Sequence, residues 1–417
     1  MLLTSLNDWL THLENAHSQE IQLGLTRIKT VAFRLGLLVW DAKIITVAGT
    51  NGKGSTVASL EAIYATAGFR VATYTSPHLL RFNERIKVDC KPISDHDLCQ
   101  LFLAIEKERQ EIVLSYFEMT TLAALLYFKS FVLDVIILEV GLGGRMDATN
   151  ILEPDLCIIT TVDLDHQLFL GETIEAIGYE KAGILRANTP LIYADTSPPL
   201  SVLGEIKRLN TPLYQLGTHY SFNVSATELQ LTYLGNKVCF PRPNINLKAA
   251  SAAVMAVLCL LPSLPVSMGK IAEAFMSVAL LGRQQVIGSE IKTIFDVAHN
   301  PQAVQLLANF VQNHERKGRI FAVFSGLQDK DLCGLIKPMK KWVDFWYPCL
   351  LTGKRAASES ILLSAIHAEN CHTSSCFSSP WVAYQEVLQK IKPKDLIVVY
   401  GSFLTVGAIL AKLEELK

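Results

Sequence analysis

A glycine-rich turn between an apolar strand and a helix places the strongest constraint on what this chain can fold into. Residues 45–56 read ITVAGTNGKGST, so a β-branched run leads into Gly49, Gly52 and Gly54 and then into a helical pattern. Glycines let backbone N–H groups approach an anion without a Cβ in the way, and the helix that follows points its positive N-terminus at the same place. The segment therefore predicts a phosphate-binding loop.

The residues around these glycines suit a phosphate loop, although they depart from the strict GxxxxGK[ST] pattern. Lys53 supplies a mobile positive charge for the β- and γ-phosphates, and Ser55 or Thr56 offers a hydroxyl near a metal ion. Ala48 stands where the first glycine of the pattern would be, and Gly54 follows the lysine. An ordinary glycine-rich turn is the alternative, but the strand before, the helix after and the lysine favour phosphate binding.

Apolar runs alternate with helical patterns through the first part of the chain. Helical patterns include residues 55–68 and 117–130. Strand-like runs that lack polar alternation occupy residues 43–49, 70–76, 134–141, 156–163 and 190–195. Short apolar strands separated by helices are typical of a parallel sheet that helices cover on both faces.

A second α/β region follows a short stretch of different character. Residues 210–243 contain alternating runs bounded by Gly, Asn and Pro, which predict a small antiparallel β excursion, and a helix follows at about 246–261. Further strand candidates are 293–298, 319–326, 344–350 and 395–401. The chain is therefore expected to be α/β, with a mostly parallel P-loop nucleotide-binding domain over residues 1–285 and a smaller Rossmann-like α/β domain over residues 286–417.

Composition and charge argue against several classes of protein. The formal net charge of −1 gives no electrostatic case for nucleic acid or an anionic membrane. Residues 1–19 lack a basic segment and a cleavage site, so they predict an amphipathic helix rather than a signal peptide. The apolar residues 249–261 are fewer than the ~20 of a spanning helix. Nine cysteines without a CxxC pair argue against zinc and indicate a reducing, cytoplasmic compartment.

A second candidate site residue ends one of the predicted strands. In DVIILEVGLGGRMDATN, an apolar run precedes Glu139. Ligand sites in parallel sheets lie beyond the carboxyl ends of the strands, so a carboxylate at this position can hold Mg²⁺ opposite the phosphate loop. The alternative is a glutamate satisfied by Arg145 or by a helix N-terminus.

Nine motifs, taken in order along nearly the whole chain, resemble one family. They are GTNGKGS (49–55), TSPHLLRFNERI (75–86), EVGLGGRMDATN (139–150), DHQLFLG (165–171), EKAGI (180–184), LGRQQ (281–285), DVAHNP (296–301), DKD (329–331) and GSF (401–403). Together they resemble the folylpolyglutamate synthase/dihydrofolate synthase family, bifunctional bacterial type, of the Mur ligase superfamily. Two of the motifs are twelve residues long, which makes coincidence negligible.

The resemblance implies an ADP-forming ligase of folate biosynthesis. The acid's carboxylate would take the γ-phosphoryl group of ATP, and the amine of L-glutamate would then attack the acyl phosphate. The acid would be dihydropteroate, the γ-carboxylate of tetrahydrofolate, or both. ATP is then the co-substrate, Mg²⁺ the cofactor and small molecules the only partners, without nucleic acid or membrane. A cytoplasmic monomer is expected.

The resemblance also carries roles to individual residues. Those implied for ATP are Thr50, Asn51, Gly52, Lys53, Gly54, Ser55, Asn246, Arg283 and Asp296. Those implied for the metal are Ser76, Glu139 and His166. Lys181 is implied to be carboxylated to N6-carboxylysine beside that metal, and His299 and Ser402 are weaker candidates for the glutamate side. Those implied for the pterin are Ile21, Gln22, Leu23, Gly24, Ser115, Tyr116, Phe117, Glu118, Met146, Asp147 and Ala148.

Departures from the family pattern affect substrate detail rather than the phosphate machinery. Gln22 stands where the bifunctional enzymes carry an aspartate. DHQLFLG lacks the Thr-Asp that usually follows the histidine, and Leu404 stands where the family has a histidine. Three other functions compete. A muramyl peptide ligase would carry a further domain ahead of the phosphate loop, but Gly49 lies close to the start. A P-loop switch that binds a guanine nucleotide would carry an NKxD element, but residues 236–239 read NKVC and lack the aspartate. A small-molecule kinase would give the DVAHNP and DKD motifs no role.

Overall fold

The computed structural model describes residues 5–15, 24–314 and 318–416. The chain divides into two compact units, the first comprising Met1–Pro77 and Asn83–Ala279 and the second comprising His78–Phe82 and Leu280–Lys417. The sequence predicts a boundary at residue 285, whereas this division falls between Ala279 and Leu280, so Arg283 belongs to the second unit. Among the described residues, no helix combines the length and apolar character needed to cross a membrane.

The first unit is built on an eight-stranded sheet. Its strands are β1 Lys43–Ala48, β2 Val71–Tyr74, β3 Ile86–Val88, β4 Lys91–Pro92, β5 Val135–Glu139, β6 Leu156–Ile159, β7 Leu191–Tyr193 and β8 Leu213–Gln215. The order across the sheet is β4-β3-β2-β5-β1-β6-β7-β8, and all neighbouring pairs from β2 to β8 are parallel. Each of the five apolar runs predicted in this unit contains a strand.

Ten α-helices accompany this sheet among the described residues. They are α1 Leu6–Asn15, α2 Thr26–Arg34, α3 Lys53–Thr66, α4 Asp95–Arg109, α5 Tyr116–Phe128, α6 Gln167–Leu170, α7 Ile174–Lys181, α8 Leu200–Leu209, α9 Leu247–Leu260 and α10 Met268–Ser277. Short 3₁₀ turns cover Phe82–Arg85, Ala148–Ile151 and Ala182–Ile184. Alternate residues of β6 face separate apolar clusters, with Ile158 on the side of α3, α9 and α10 and Ile159 on the other. The sheet is therefore covered on both faces, as the unbroken apolar runs predict.

The predicted β excursion is shorter than expected. An antiparallel sheet in the order β11-β10-β9 is formed by β9 Tyr220–Val224, β10 Glu228–Tyr233 and β11 Asn236–Pro241. The start of the predicted segment behaves differently, because β8 pairs in parallel with β7 and so belongs to the main sheet. Three half-buried residues are too few to show the apolar run that marks the other parallel strands.

The second unit has a five-stranded sheet in the order β12-β13-β16-β14-β15. Its strands are β12 Gln285–Ile287, β13 Lys292–Asp296, β14 Ile320–Phe324, β15 Phe345–Pro348 and β16 Leu396–Tyr400. Its helices are α11 Pro301–Asn313, α12 Leu332–Ile336, α13 Glu359–Ala368, α14 Pro380–Lys390 and α15 Phe403–Glu415. Apart from the antiparallel edge strand β12, the strands are parallel and their carboxyl ends share one edge.

Candidate functional site

The predicted phosphate loop joins β1 to α3 at the centre of the first unit's sheet. Gly52 caps α3 with a φ of 91°, and Gly49 has a φ of 146°. A Cβ at Gly49 would lie 1.8 Å from Oγ1 of Thr160. Both positions therefore require glycine: Gly52 for its backbone angle, and Gly49 also for the close approach of Thr160, the residue after β6.

Hydrogen bonds to the segment after β6 hold this loop in shape. The Thr50 N–H donates to the Thr161 carbonyl at 2.8 Å, and the Asn51 N–H donates to the Thr161 hydroxyl at 3.0 Å. The Thr50 hydroxyl donates to the Asp163 carbonyl at 3.2 Å and accepts from the Asp163 N–H at 3.0 Å. The loop is thus preorganised by one backbone pair and by the hydroxyl groups of Thr50 and Thr161.

Lys53 is the first residue of α3, and its ammonium group turns back over the loop. Its Nζ donates to the carbonyls of Gly49 at 2.9 Å and Thr50 at 3.3 Å. Ser55 and Thr56 are 3% and 0% exposed, and the Thr56 hydroxyl donates to its own helix at Gly52. The lysine therefore lies where the sequence predicts it, whereas the two hydroxyls are buried.

Glu139 lies beside the phosphate loop. It ends β5, where it pairs in register with Val47, two residues before Gly49. Its carboxylate is buried, and Oε2 accepts a hydrogen bond of 3.2 Å from the Ser76 backbone N–H. Two of the three predicted metal ligands are thus adjacent in the first unit, at the carboxyl ends of neighbouring strands β2 and β5.

His166 follows β6 and precedes the short helix α6 with a left-handed backbone of φ 51°. The adjacent Asp165 accepts its backbone N–H at 2.8 Å, and the Asp165 carboxylate lies 3.8 Å from the His166 Nε2. The side chain of Asp165 is 7% exposed. Among the described residues, no group of three His, Cys, Asp or Glu side chains is arranged to hold a metal ion.

Lys181 is a buried amine at the end of α7, with 4% of its surface exposed. Burial, followed by the positive charge of Lys53, lowers the pKa of Lys181 from 10.5 to about 7, while Asp165 and Asp147 act in the opposite direction. These electrostatic partners bring the lysine together with the phosphate loop and with the segment that carries His166. This amine therefore loses its proton at a lower pH than an exposed lysine does.

The candidate pterin residues come together around the start of α5. Ser115 and Glu118 form a capping box, and Glu118 pairs with Arg27 at 3.2 Å, so both have structural roles. The Gly24 N–H donates to the Met146 carbonyl at 3.4 Å, which joins two of the predicted segments. Three further pterin candidates, Ile21, Gln22 and Leu23, lie outside the described residues.

Among the candidate pterin residues, two half-buried aromatic residues of α5 are best suited to stack on a flat ring. Phe117 lies 5.7 Å from the ring of Tyr74, and a Cβ at Gly141 would lie 2.5 Å from its Cζ. Tyr116 has the guanidinium of Arg85 over its ring at 5.8 Å. Phe117 therefore packs directly on the glycine-rich loop that follows Glu139.

Local hydrogen bonds reach both carboxylate oxygens of Asp147. It is 2% exposed, and one oxygen accepts from the Thr149 N–H at 2.9 Å and hydroxyl at 2.6 Å. The other oxygen accepts from the Leu142 N–H at 2.9 Å. Burial raises the pKa of Asp147 and these hydrogen bonds oppose that rise. Its evident role is to hold the loop over residues 141–149, while the neighbouring Met146 is exposed and Ala148 is buried.

The predicted nucleotide residue Asn246 caps α9, where its side-chain oxygen accepts from the Ala249 N–H at 3.0 Å. Arg283 and Asp296 lie in the second unit. Asp296 ends β13 and is buried, with its two oxygens accepting from the Gln284 N–H at 3.0 Å and the Ala298 N–H at 2.8 Å. Burial raises the pKa of Asp296, and the positive charge of Arg283 opposes that rise. These two nucleotide candidates are therefore close to each other.

The weaker candidates lie at the same edge of the second sheet. The His299 Nδ1 lies 3.0 Å from the Val297 carbonyl, and Ser402 caps α15 with its hydroxyl 2.7 Å from that of Thr405. Both follow strands whose carboxyl ends are adjacent, namely β13 and β16. Ser402 thus caps a helix and His299 contacts the backbone, so each also has a local structural role.

Three of the contacting residues that sequence reasoning missed lie directly against the candidates for metal, nucleotide and glutamate. Asp165 precedes His166 in its motif, Thr161 hydrogen-bonds the phosphate loop, and Phe403 follows Ser402. The first and third lie within quoted motifs, so their positions alone could have marked them. Nothing in the local sequence indicates that Thr161 reaches Asn51, because the two residues are far apart in the chain.

Comparisons with known proteins agree with this architecture. Residues 282–403 match the family described as "Mur ligase, glutamate ligase domain". The Escherichia coli FolC in complex with DHPP and ADP has a TM-score of 0.94 at 36% identity, covering 99% of this chain and 98% of that chain. A bifunctional folylpolyglutamate synthase/dihydrofolate synthase with Mn, AMPPNP and L-glutamate bound has a TM-score of 0.91 at 39% identity, with the same coverage.

Sequence comparison gives the same family over almost the full length. The dihydrofolate synthase/folylpolyglutamate synthase of Escherichia coli strain K12 is 38% identical over 97% of this chain and 94% of that protein. The protein of the same description from Haemophilus influenzae is 37% identical over 98% of each. The motifs, the two α/β units and these matches agree, and the chain belongs to the dihydrofolate synthase/folylpolyglutamate synthase family.

Proposed function

We propose that this chain is an ATP-dependent, ADP-forming ligase that joins L-glutamate to dihydropteroate and to the γ-carboxylate of tetrahydrofolate. The observation that carries the proposal is that a carboxylate and a buried amine lie near the phosphate loop. Glu139 ends the strand next to the loop, and the positive charge of Lys53 helps to lower the pKa of the buried Lys181. The relatives with DHPP, ADP, Mn, AMPPNP and L-glutamate bound support the same substrates here.

The reaction needs an activated carboxyl group, because a carboxylate is a poor acyl donor. A carboxylate oxygen of the acid attacks the γ-phosphorus, so an O–P bond forms and ADP leaves. The glutamate amine then attacks the carbonyl carbon, a C–N bond forms, phosphate leaves and the amine loses a proton. Positioning and charge neutralisation dominate such transfers, and Lys53 and the loop N–H groups supply both to the phosphates.

The oxygen donors beside the phosphate loop fit Mg²⁺. Glu139 offers a buried carboxylate at the end of β5, and Ser76 offers a hydroxyl on the residue whose N–H fixes that carboxylate. Mg²⁺ prefers such oxygen ligands, and His166 offers a less usual nitrogen. When bound, the ion neutralises negative charge on the phosphates. We assign Ser76, Glu139 and His166 as its ligands.

Lys181 is proposed to be carboxylated. Its neutral amine attacks CO₂, giving an N–C bond and a carbamate, and releases one proton. The ammonium form must first lose its own proton, so going from ammonium to carbamate releases two protons in all. The resulting anion is attracted by the positive charge of Lys53, which repels the ammonium form. ¹³C-bicarbonate should give a carbamate signal that is absent from Lys181→Ala, and an unmodified amine in an active, magnesium-loaded crystal would contradict the assignment.

The remaining roles follow the position of each residue. Asn246, Arg283 and Asp296 are proposed to contact the nucleotide, with the arginine neutralising charge on the transferring phosphoryl group. His299 and Ser402 are proposed for the glutamate side, at the carboxyl ends of β13 and β16.

The pterin is assigned to the surface formed by Gly24, the start of α5 and Met146. The half-buried rings of Phe117 and Tyr116 supply a stacking surface. The loop that Asp147 holds supplies backbone groups, and the Asp147 carboxylate adds to the local negative charge.

The chain is further proposed to act as a cytoplasmic monomer on small molecules alone. Nine free cysteines support a reducing compartment. A net charge of −1 gives no support to nucleic acid binding. Light scattering of the purified protein would test the monomer, since a stable dimer doubles the measured mass.

One experiment separates the proposal from its rivals. Purified protein would receive ATP, Mg²⁺ and labelled L-glutamate, with dihydropteroate in one reaction and tetrahydrofolate in another. We expect ADP release that requires glutamate, together with label in the folate product. Glutamate-independent hydrolysis would indicate a nucleotide switch instead, and a stable phosphorylated acid would indicate a kinase. Glutamate transfer to only one of the two acids would reduce the proposal to that single activity.

A further inference from the structure

Phe403 occupies an unusual position for a residue of an apolar core. It begins α15 directly after the capping Ser402 and is half-buried against the apolar cluster that contains Val399 and Val406. Its ring also faces two candidate site residues. The guanidinium carbon of Arg283 lies 4.9 Å from the ring centroid, and the His299 ring centroid lies 5.8 Å away at an interplanar angle of 54°.

The backbone that carries Arg283 is fixed independently of that ring. The Gly282 N–H donates to the Gln285 side chain at 2.8 Å, and the Gly282 carbonyl accepts from the Val297 N–H at the same distance. The Gln284 N–H donates to Asp296. Only the long side chain of Arg283 thus needs further restraint, and its several torsions would otherwise sample many rotamers.

Asp296 and Phe403 restrain this side chain in different ways. Asp296 acts through charge, which falls off gradually with distance and sets no orientation for the guanidinium plane. An aromatic face beneath a guanidinium attracts the cation and defines a plane on which it lies. The ring therefore supplies the orientation that a charge interaction alone does not.

We infer that Phe403 is the positioning residue that seats the Arg283 guanidinium, and with it the His299 ring, for the transfer step. This rests on the proposed function of Arg283 as a contact to the transferring phosphoryl group. Phe403 acts through Arg283, so its loss lowers turnover rather than nucleotide affinity. A residue that serves only the core would have no such selective effect.

Side-chain NMR tests the contact between Phe403 and Arg283 independently of enzymatic turnover. In protein labelled with ¹⁵N-arginine, the Arg283 Nε–H signal, assigned with Arg283→Lys, is expected upfield of the other arginine signals because of the ring current. Phe403→Leu should move it downfield, whereas Phe403→Tyr should keep it. Phe377→Leu is the matched control, because Phe377 packs on the same cluster but stacks on Tyr347.

An Arg283 Nε–H chemical shift that is the same in Phe403→Leu as in the unmodified protein would overturn the inference. If Phe403→Leu fails to fold, Phe403→Trp decides instead, because its larger π surface should shift the signal further upfield. No shift with tryptophan would equally overturn the seat.

A double-mutant cycle then tests the effect on turnover. Phe403→Leu should lower kcat about ten-fold at unchanged KM for ATP, and should add nothing in an Arg283→Ala background. A further ten-fold loss in that background would show that Phe403 acts apart from Arg283 and would refute the positioning role. Absence of glutamate-dependent turnover in the unmodified protein would contradict the proposed function, while the NMR result would still decide the seat.

Discussion

The buried ammonium group of Lys181 should lower the free energy of unfolding at neutral and acidic pH. Replacing Lys181 should show the size of this loss. Burial beside Lys53 lowers the pKa of Lys181 from 10.5 to about 7. The unfolded chain therefore keeps the proton between pH 7 and 10.5, whereas the folded chain releases it. Because the unfolded state binds more protons in this window, the contribution of Lys181 to the free energy of unfolding rises with pH there.

The size of the effect follows from the shift. One pKa unit corresponds to about 1.4 kcal/mol, so a change from 10.5 to about 7 amounts to roughly 5 kcal/mol in total. Lys181→Met keeps the apolar stem and removes the amine. We expect the variant to be more stable than the unmodified protein by an amount that is constant below pH 7 and then falls by about 1.4 kcal/mol per pH unit.

The assay is equilibrium urea unfolding at pH 6, 7, 8 and 9 in CO₂-free buffer without Mg²⁺. Lys107→Met, at an exposed position of α4, controls for the loss of one lysine side chain. Added bicarbonate should then stabilise the unmodified protein but not the Lys181→Met variant, because only the former can bind CO₂ as a carbamate. A stability difference that stays constant from pH 6 to 9 would refute the reasoning.

Three further substitutions test separate parts of the site. Lys53→Ala should lower kcat by on the order of 10³-fold in a folded protein, and near-normal turnover would exclude the phosphate role. Arg283→Ala should lower kcat by a similar factor with little change in nucleotide affinity, measured by calorimetry, so a pure affinity defect would count against it. Gly141→Ala should raise the KM for the folate substrate about ten-fold, because its Cβ would meet the Phe117 ring at 2.5 Å. Gly204→Ala, where nothing lies within 4 Å, is the control and should be harmless.

Local patterns predicted most of the fold because the strands of a covered parallel sheet are short, apolar and bounded by turns. The nine strand candidates outside the excursion each contain a strand, and the phosphate loop joins β1 to α3 as its glycines require. The short strands β3, β4, β8 and β12, each at a sheet edge or next to one, were not predicted. Strands of two or three residues are too short to show an apolar run, so tertiary pairing rather than sequence pattern creates them.

The site was harder to predict, because a motif gives the position of a residue but not its bonds. Glu118 and Asp147 both lie in predicted pterin segments, yet Glu118 closes a capping box and Asp147 accepts from Leu142 and Thr149. Hydrogen-bond saturation of this kind depends on the path of neighbouring loops. The aromatic contact between Phe403 and Arg283 also joins residues distant in sequence, and no periodicity signals it.

Lys53 and Lys181 show why stability and function are linked in this site. Burial and the positive charge of Lys53 both disfavour the protonated form of Lys181, and the lowered pKa of Lys181 reflects this cost. Each proposed ligand would remove part of the cost, since phosphate oxygens neutralise Lys53 and a carbamate replaces the charge on Lys181 with its opposite. On the proposed chemistry, this cost would be recovered as affinity for nucleotide and CO₂. A site without the repulsion would be more stable, but it would bind both more weakly.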